Sequence, residues 1–183
     1  GRGATEYFDA LSALVAEEGA LPELREWIGM EGSPPAPART LDAMIESGRA
    51  ITPEEVARRT AATTVDDATN IQYTSGTTGF PKGVVLTHRN IVENAYTVAR
   101  LIDTGDADRM LLQVPLFHCF GCVISVLGAY THGIPLIATQ SFDPLRSLEA
   151  IAAEGCTIVH GVPTMLLAIL SHEAFPRLRP ATF

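Results

Sequence analysis

Lysine is almost missing from this chain. Its 183 residues hold 13 Lys and Arg against 21 Asp and Glu, for a net charge of −8, and Lys82 is the one lysine. Without a basic excess, a nucleic-acid partner is excluded and no basic patch is offered to a membrane surface. Cysteine is sparse too. Three cysteines are an odd number in a chain without secretory marks, which argues against a disulfide framework and predicts reduced thiols in a cytoplasmic setting. Long hydrophobic runs are lacking: the longest, Cys119 to Tyr130, is too short to span a bilayer. No start methionine and no signal-peptide pattern are present. What is there is a 46% apolar composition, enough for one globular domain with a real core.

The lone lysine sits in the most distinctive stretch, Tyr73-Thr74-Ser75-Gly76-Thr77-Thr78-Gly79-Phe80-Pro81-Lys82-Gly83. Glycines let backbone N–H groups approach a ligand closely, and successive N–H groups make an anion-binding concavity. Hydroxyls add donors and Lys82 adds a compact point charge. By composition alone the stretch reads first as a plain surface loop. Its flanks favour the phosphate cradle. Asn70 to Thr74 alternates apolar and polar like a half-buried strand, and Gly83 to Thr87 is apolar and β-branched like a buried one. It is not a Walker A loop, which needs Gly-Lys-Ser/Thr running into a helix.

The opening third predicts a helix over Glu6 to Glu17 ended by Gly19, a short strand within Leu24 to Met30, and a surface loop from Glu31 to Ala36 and Pro37. A short helix over Leu41 to Ser47 follows, then one capped by Thr52 and Pro53 that ends near Arg59. Beyond the loop, Thr87 caps a helix whose inner face carries Ile91, Ala95, Val98, Ala99 and Ile102, and which stops before Gly105. Then come a strand (Arg109 to Val114), a helix buried all round (Cys119 to Tyr130) and a strand (Ile134 to Ala138). A helix from Asp143-Pro144 to Gly155 turns Leu145, Leu148 and Ile151 inward. A strand (Thr157 to His160) and a helix (Pro163 to Leu170) complete the order. This alternation predicts an α/β fold with parallel strands and covering helices, preceded by a strand–phosphate loop–strand unit.

Other groupings carry less chemistry. His118, at the head of a helix after Pro115-Leu116-Phe117, either caps that helix or polarises a carboxylate. Cys119 and Cys122 form a CxxC. A zinc site needs two more ligands, with Cys156 and His160 the nearby candidates, whereas apolar surroundings make these cysteines small hydrophobes. His88-Arg89-Asn90 reads as a solvated first helical turn, and Asp66-Asp67 and Asp103 to Asp108 as solvated acids. Gly161-Val162-Pro163-Thr164-Met165 reads as a strand-to-helix turn.

Thr74-Ser75-Gly76-Thr77-Thr78-Gly79-Phe80-Pro81-Lys82-Gly83 resembles the phosphate-loop signature of the adenylate-forming (AMP-binding) superfamily. The likeness is strong from Asp66 to about Leu170 and looser before. With Gln72, the Pro-Leu-Phe-His run and the Val-Pro-Thr-Met turn, it is most similar to medium- or long-chain fatty acyl-CoA synthetases. The resemblance implies activation of a carboxylic acid by MgATP to an acyl-adenylate, then transfer to CoA. It implies that Thr74, Ser75, Gly76, Thr77, Thr78, Gly79 and Lys82 hold the β- and γ-phosphates, with Thr74 near Mg²⁺. It implies His118 as an acyl-site or gating residue behind the aromatic Phe117, with Phe120, Gly121 and Val123 along an acyl tunnel and Gly161 to Met165 near the substrate pocket. It also implies that residues 1–183 are an internal piece of the large domain, lacking the C-terminal domain and inactive alone. Open alternatives are transfer of an acyl, aryl or amino acid to a carrier protein, a non-catalytic nucleotide- or acyl-binding module, and a plain α/β domain whose loop binds nothing.

Overall fold

A computed structural model of the chain describes residues 9–14, 21, 23–30, 32, 34, 38–75 and 79–178. It divides into two compact units, Gly1–Thr63 and Thr64–Phe183.

In the first unit, residues 9–14 are helical (α1), inside the span expected; the rest of that span and Gly19 lie outside the described residues. The expected strand contracts to β1 (Ile28–Gly29), paired in parallel with β2 (Arg39–Thr40). Two helices follow, α2 (Leu41–Gly48) and α3 (Pro53–Ala62). Each starts at a threonine whose hydroxyl accepts a backbone N–H three residues on, Thr40 from Ala43 at 3.1 Å and Thr52 from Glu55 at 3.3 Å. α3 runs past Arg59 to Ala62. Glu55 bridges both Arg58 and Arg59 at 2.7 Å along its face, which supports the extra turn.

The second unit holds the glycine- and hydroxyl-rich stretch and His118. β3 (Ala68–Thr74) and β4 (Lys82–Thr87) form an antiparallel hairpin, and α4 (His88–Leu101) follows. The start of α4 is a full capping box: Thr87 Oγ1 accepts from Asn90 N–H, and Asn90 Oδ1 accepts from Thr87 N–H. Then come β5 (Met110–Leu112), a π-helix (Phe120–Leu127) running into α5 (Gly128–His132), β6 (Leu136–Ala138), α6 (Pro144–Glu154), β7 (Ile158–Val159), α7 (Pro163–Leu170) and α8 (Phe175–Leu178). β6, β5 and β7 make a parallel sheet with β5 in the centre, as the alternating pattern requires.

The central strand explains the core. Met110 and Leu111 are fully buried, and successive residues face opposite sides of a sheet. Met110 packs with Ala129 and Ile134 on one side, Leu111 with Ile151 and Cys156 on the other. Leu148 with Ile169 and Ala174 joins α6 to the C-terminal helices.

Several expectations need correction. Gly83 to Thr87 is not a buried strand: Val84 and Val85 are 42% and 56% exposed. On β3 it is Asn70 and Gln72 that turn inward, whereas Ile71 and Tyr73 are exposed. The register pairs Ile71 with Val85 and Tyr73 with Gly83 on one face of a two-stranded sheet, and a two-stranded sheet buries little. Finally, Cys119 to Tyr130 is helical but not buried all round. Its first two turns are a π-helix with Gly121, Val123 and Ser125 inside, and Tyr130 is 83% exposed. Leu145 and Ile102 are likewise exposed, at the margins of faces whose centres, Leu148, Ile151, Ala95 and Ala99, are buried.

Candidate active site

The hairpin register brings the lysine to the head of the loop. Thr74 lies directly opposite Lys82, and Gln72 opposite Val84. Opposed residues of an antiparallel pair project on the same face, and so do residues two apart. Thr74, Lys82 and Gln72 therefore share one face. Ser75 and Gly79 are exposed, and Gly79 has φ +108°, a backbone conformation that a side chain would strain. Gly76, Thr77 and Thr78 lie outside the described residues. The Gln72 amide donates to Asn70 Oδ1 at 2.9 Å, which orients it on the strand.

The base of the hairpin is fastened to α4. Arg89 N–H donates to the Val65 carbonyl at 2.8 Å and His88 N–H to that of Asp67 at 3.2 Å. The Arg89 guanidinium sits on Asp66 at 2.9 Å and near Glu93 at 3.6 Å. Hydrogen bonding and charge from Arg89 hold the Asp66 carboxyl below its ordinary range. Arg89 and Asn90 are thus engaged at the helix start rather than at the loop. The acids expected to be merely solvated also have partners. Asp67 accepts from Thr64 N–H at 2.7 Å, and Asp108 accepts from the Thr157 hydroxyl at 2.6 Å and Gly105 N–H at 2.8 Å.

His118 lies beyond the C-terminal end of β5, the side on which open parallel sheets take their ligands. Its Nδ1 accepts from Phe120 N–H at 3.0 Å. The neutral ring must then carry its proton on Nε2. His118 borders an apolar cavity of about 340 Å³ with Val114, Pro115, Phe117, Phe120, Val162 and Met165. Val162 and Met165 come from the Gly161–Met165 turn, so that turn and the Pro-Leu-Phe-His run meet at one pocket. A second cavity of about 560 Å³ shares Val114, Pro115, Phe117 and Met165 and continues past Leu116 to Thr139, Ser141 and Phe142 beyond β6.

Of the expected tunnel residues, Phe120 lines the His118 pocket. Gly121 does not open space: a Cβ there would lie 2.3 Å from the Pro115 carbonyl oxygen. Val123 faces a separate cavity of about 230 Å³ with Leu86, Asn90, Ile91, Asn94 and Cys119. Cys119 and Cys122 are half-buried free thiols and Cys156 is a buried one. Burial pushes the Cys122 and Cys156 thiols up, away from reactivity. No grouping of three His, Cys, Asp or Glu able to hold a metal occurs among the described residues.

Sequence reading missed a buried polar cluster beside the pocket. Ser125 and Ser147 are fully buried and Gln113 is 5% exposed. Ser125 Oγ lies 2.9 Å from His160 Nδ1, Gln113 Nε2 donates to the His160 carbonyl at 3.0 Å, and the Ser147 hydroxyl donates to Gln113 Oε1 at 2.7 Å. Burial lowers the basicity of His160. The available signal was a serine inside the chain's most apolar run.

Residues 7–182 match the family described as AMP-binding enzyme. The chain belongs to the AMP-binding enzyme family. Among curated relatives, it is 46% identical over 127 residues to YngI of Bacillus subtilis (strain 168), which spans 69% of this chain and 23% of that protein. It is 38% identical over 152 residues to the acyl-CoA ligase SID4 of Ajellomyces capsulatus, 82% of this chain and 26% of the relative. It is 32% identical over 185 residues to the mitochondrial medium-chain acyl-CoA ligase ACSF2 of Mus musculus, 93% of this chain and 30% of the relative. The AMP-binding chain therefore spans about a quarter of the length of the relatives it matches. Among solved structures, the inhibitor-bound N-terminal domain of FACL13 from Mycobacterium tuberculosis aligns with TM-score 0.64 at 26% identity, covering 95% of this chain and 46% of that one. ATP-bound MatB from Rhodopseudomonas palustris aligns with TM-score 0.55 at 30% identity, covering 61% of this chain and 22% of that one. Among the described residues, no helix is long and apolar enough to cross a membrane.

Proposed function

We propose that this chain supplies the phosphate-holding loop and part of the acyl pocket of an ATP-dependent fatty acyl-CoA ligase. The observation that carries the reading is the hairpin register. It sets Lys82 across from Thr74 at the two ends of a glycine- and hydroxyl-rich loop, on a chain otherwise poor in positive charge. ATP fits this donor set: one ammonium, several hydroxyls and backbone N–H groups suit phosphate oxygens. Mg²⁺ fits it in a limited way. Thr74 brings one neutral oxygen, and Mg²⁺ takes such a site with phosphates and water filling its remaining positions. When bound, the ion would neutralise charge between phosphate groups.

Within this reading the loop holds the β- and γ-phosphates while a fatty carboxylate attacks the α-phosphorus. The P–O bond to pyrophosphate breaks, and Lys82 and the loop donors stabilise the charge that collects on the leaving group. His118 presents Nε2–H at the rim of an apolar pocket, where it can donate to a carboxylate oxygen while Phe117, Val162 and Met165 receive the hydrocarbon. CoA is the acceptor of the acyl group.

Two measurements test this. Calorimetry of this chain with ATP and with pyrophosphate should give binding that Lys82→Ala weakens; absence of heat with both ligands overturns the phosphate-loop assignment. ATP–pyrophosphate exchange by the longest natural chain carrying these residues should respond to fatty acids above aryl or amino acids. The opposite order would reassign the acid. The 183-residue chain alone should show no turnover with ATP, Mg²⁺, CoA and a fatty acid.

A further inference from the structure

The residues around Phe120 form a connected device. The Phe120 N–H is taken by His118 Nδ1. The Phe120 carbonyl accepts the Ser125 hydroxyl at 3.1 Å, five residues on, across one turn of the π-helix. The Phe120 ring lies 5.5 Å from that of His160, tilted by 34°. Ser125 then touches His160 Nδ1 at 2.9 Å, while the His160 backbone is tied through Gln113 to Ser147 on α6. A single residue is thus gripped at its N–H, its carbonyl and its ring, and the group on its N–H is the pocket histidine.

Proton counting couples the two bonds at Ser125. A serine hydroxyl has one proton. Given to the Phe120 carbonyl, it leaves only a lone pair for His160, so His160 must donate from Nδ1. With the Ser125 proton on the Phe120 carbonyl, the two imidazoles take opposite tautomers, Nδ1–H at His160 and Nε2–H at His118. A packing role alone has no use for this arrangement. Burying two serines and a glutamine beside a half-buried histidine costs more than an aliphatic core unless every group is paired. A π-turn is itself an uncommon choice that proteins concentrate at functional sites.

We propose that Ser125 and His160 are positioning residues for the acyl-site histidine: they lock the π-turn at Phe120, and the Phe120 N–H in turn fixes the ring of His118 with Nε2–H directed to the substrate. This rests on the fatty acyl activation proposed above for the role of His118, but not for the coupling itself.

The coupling is read by imidazole ¹⁵N shifts of this chain. In the wild type, His160 should show a protonated Nδ1, and His118 a protonated Nε2 with a hydrogen-bonded Nδ1. Either histidine in the other tautomer overturns the proposal, without any variant. Ser125→Ala and His160→Leu should move the His118 nitrogens toward the averaged values of a free imidazole. Ser125→Thr, which keeps the hydroxyl, and His160→Asn, whose amide nitrogen can stand where Nδ1 stands, should hold them. Unchanged His118 signals in folded Ser125→Ala also overturn it. In the longest natural chain, Ser125→Ala should lower the maximal rate of acyl-adenylate formation about 10- to 100-fold. KM for ATP should stay within about two-fold, since neither residue bonds to the hairpin among the described residues, and Ser125→Thr should restore the rate. A rate unaffected by Ser125→Ala counts against the positioning role. If the wild type activates no fatty acid, the functional reading falls while the ¹⁵N result still decides the coupling.

Discussion

Gly121→Ala is a sharp test of the pocket's construction, because two effects of opposite sign compete there. In an ordinary helix, alanine in place of glycine stabilises by about 0.5–1 kcal/mol, through lost freedom in the unfolded chain and better propensity. At Gly121 a Cβ would meet the Pro115 carbonyl oxygen at 2.3 Å, its carbon at 2.8 Å and the Val114 oxygen at 3.0 Å. All three are backbone atoms, so no side chain can swing aside. Real Cβ contacts essentially never fall below 3.0 Å, so the π-helix must retreat from the Pro115–His118 turn by about 0.7 Å at least. That turn is tied to the helix by Gly121 N–H and Cys122 N–H, which both donate to the His118 carbonyl at 2.9 and 3.1 Å. Overpacking of this kind costs about 1–3 kcal/mol, which outweighs the propensity gain. Gly128 provides the control seven residues further along. Its nearest neighbours to an added Cβ are at 3.8 Å, ordinary contact distance, and its φ and ψ are already helical at −59° and −49°. Thermal unfolding should therefore show Gly121→Ala melting about 2–6 °C lower and Gly128→Ala melting at or about 2 °C above the parent. A Gly121→Ala protein as stable as the parent would refute the close approach of helix and turn, and with it the fixed placement of His118.

Lys82→Ala should weaken pyrophosphate binding about 10- to 100-fold, the scale of one lost bond to a charged group, and the remaining affinity should fall less steeply with salt. Burial lowers the folded pKa of His160 below its ordinary 6.5, so in the window just below that value the unfolded chain binds more protons than the folded one. Stability should accordingly fall as pH drops below about 6.5, and His160→Asn should remove that slope in urea melts at pH 7 and pH 5.5; an identical slope in the variant would rule His160 out as its source. Gln113→Leu strips the partner from the His160 carbonyl and leaves the Ser147 hydroxyl only the Asp143 carbonyl, so the urea midpoint should shift down by the equivalent of about 1–3 kcal/mol. Thr87→Ala removes half of the capping box and should cost about 1 kcal/mol in the same assay.

Local chemistry explains why much of this fold was legible. The starts of α3, α4 and α6 are each written in one or two residues, Thr52-Pro53, Thr87 and Asp143-Pro144, and each forms the cap its sequence describes. The order of strands and helices after Arg109 follows from periodicity, and three parallel strands result. Burial is a different kind of property. Val84 and Val85 look like core residues because β-branched side chains suit sheets, but exposure depends on what lies across the face, and a two-stranded hairpin has no such cover among the described residues. The π-helix was illegible for a related reason. Phe120-Gly121-Cys122-Val123 has the apolar run of any buried helix, and its widened turn sits against residues outside that run, Pro115 beside Gly121 and His160 beside Ser125.

The same distinction separates the two halves of the candidate site. The proposed phosphate loop is a local device: its glycines, hydroxyls and lysine are contiguous, and a hairpin register suffices to set Thr74 against Lys82. The His118 pocket is assembled from the loop after β5, the head of the π-helix and the turn after β7. No single stretch encodes it, so its determinants are residues that look ordinary in sequence. A serine in an apolar run, a glutamine at the end of a strand and a histidine before a glycine acquire roles only when the sheet brings their backbones together. Substitutions in the loop should thus alter ligand binding with little effect on stability, because Thr74, Ser75 and Lys82 are exposed. Substitutions around the pocket should alter both at once, because Gly121, Ser125 and Gln113 are buried and hold the histidine by holding the fold.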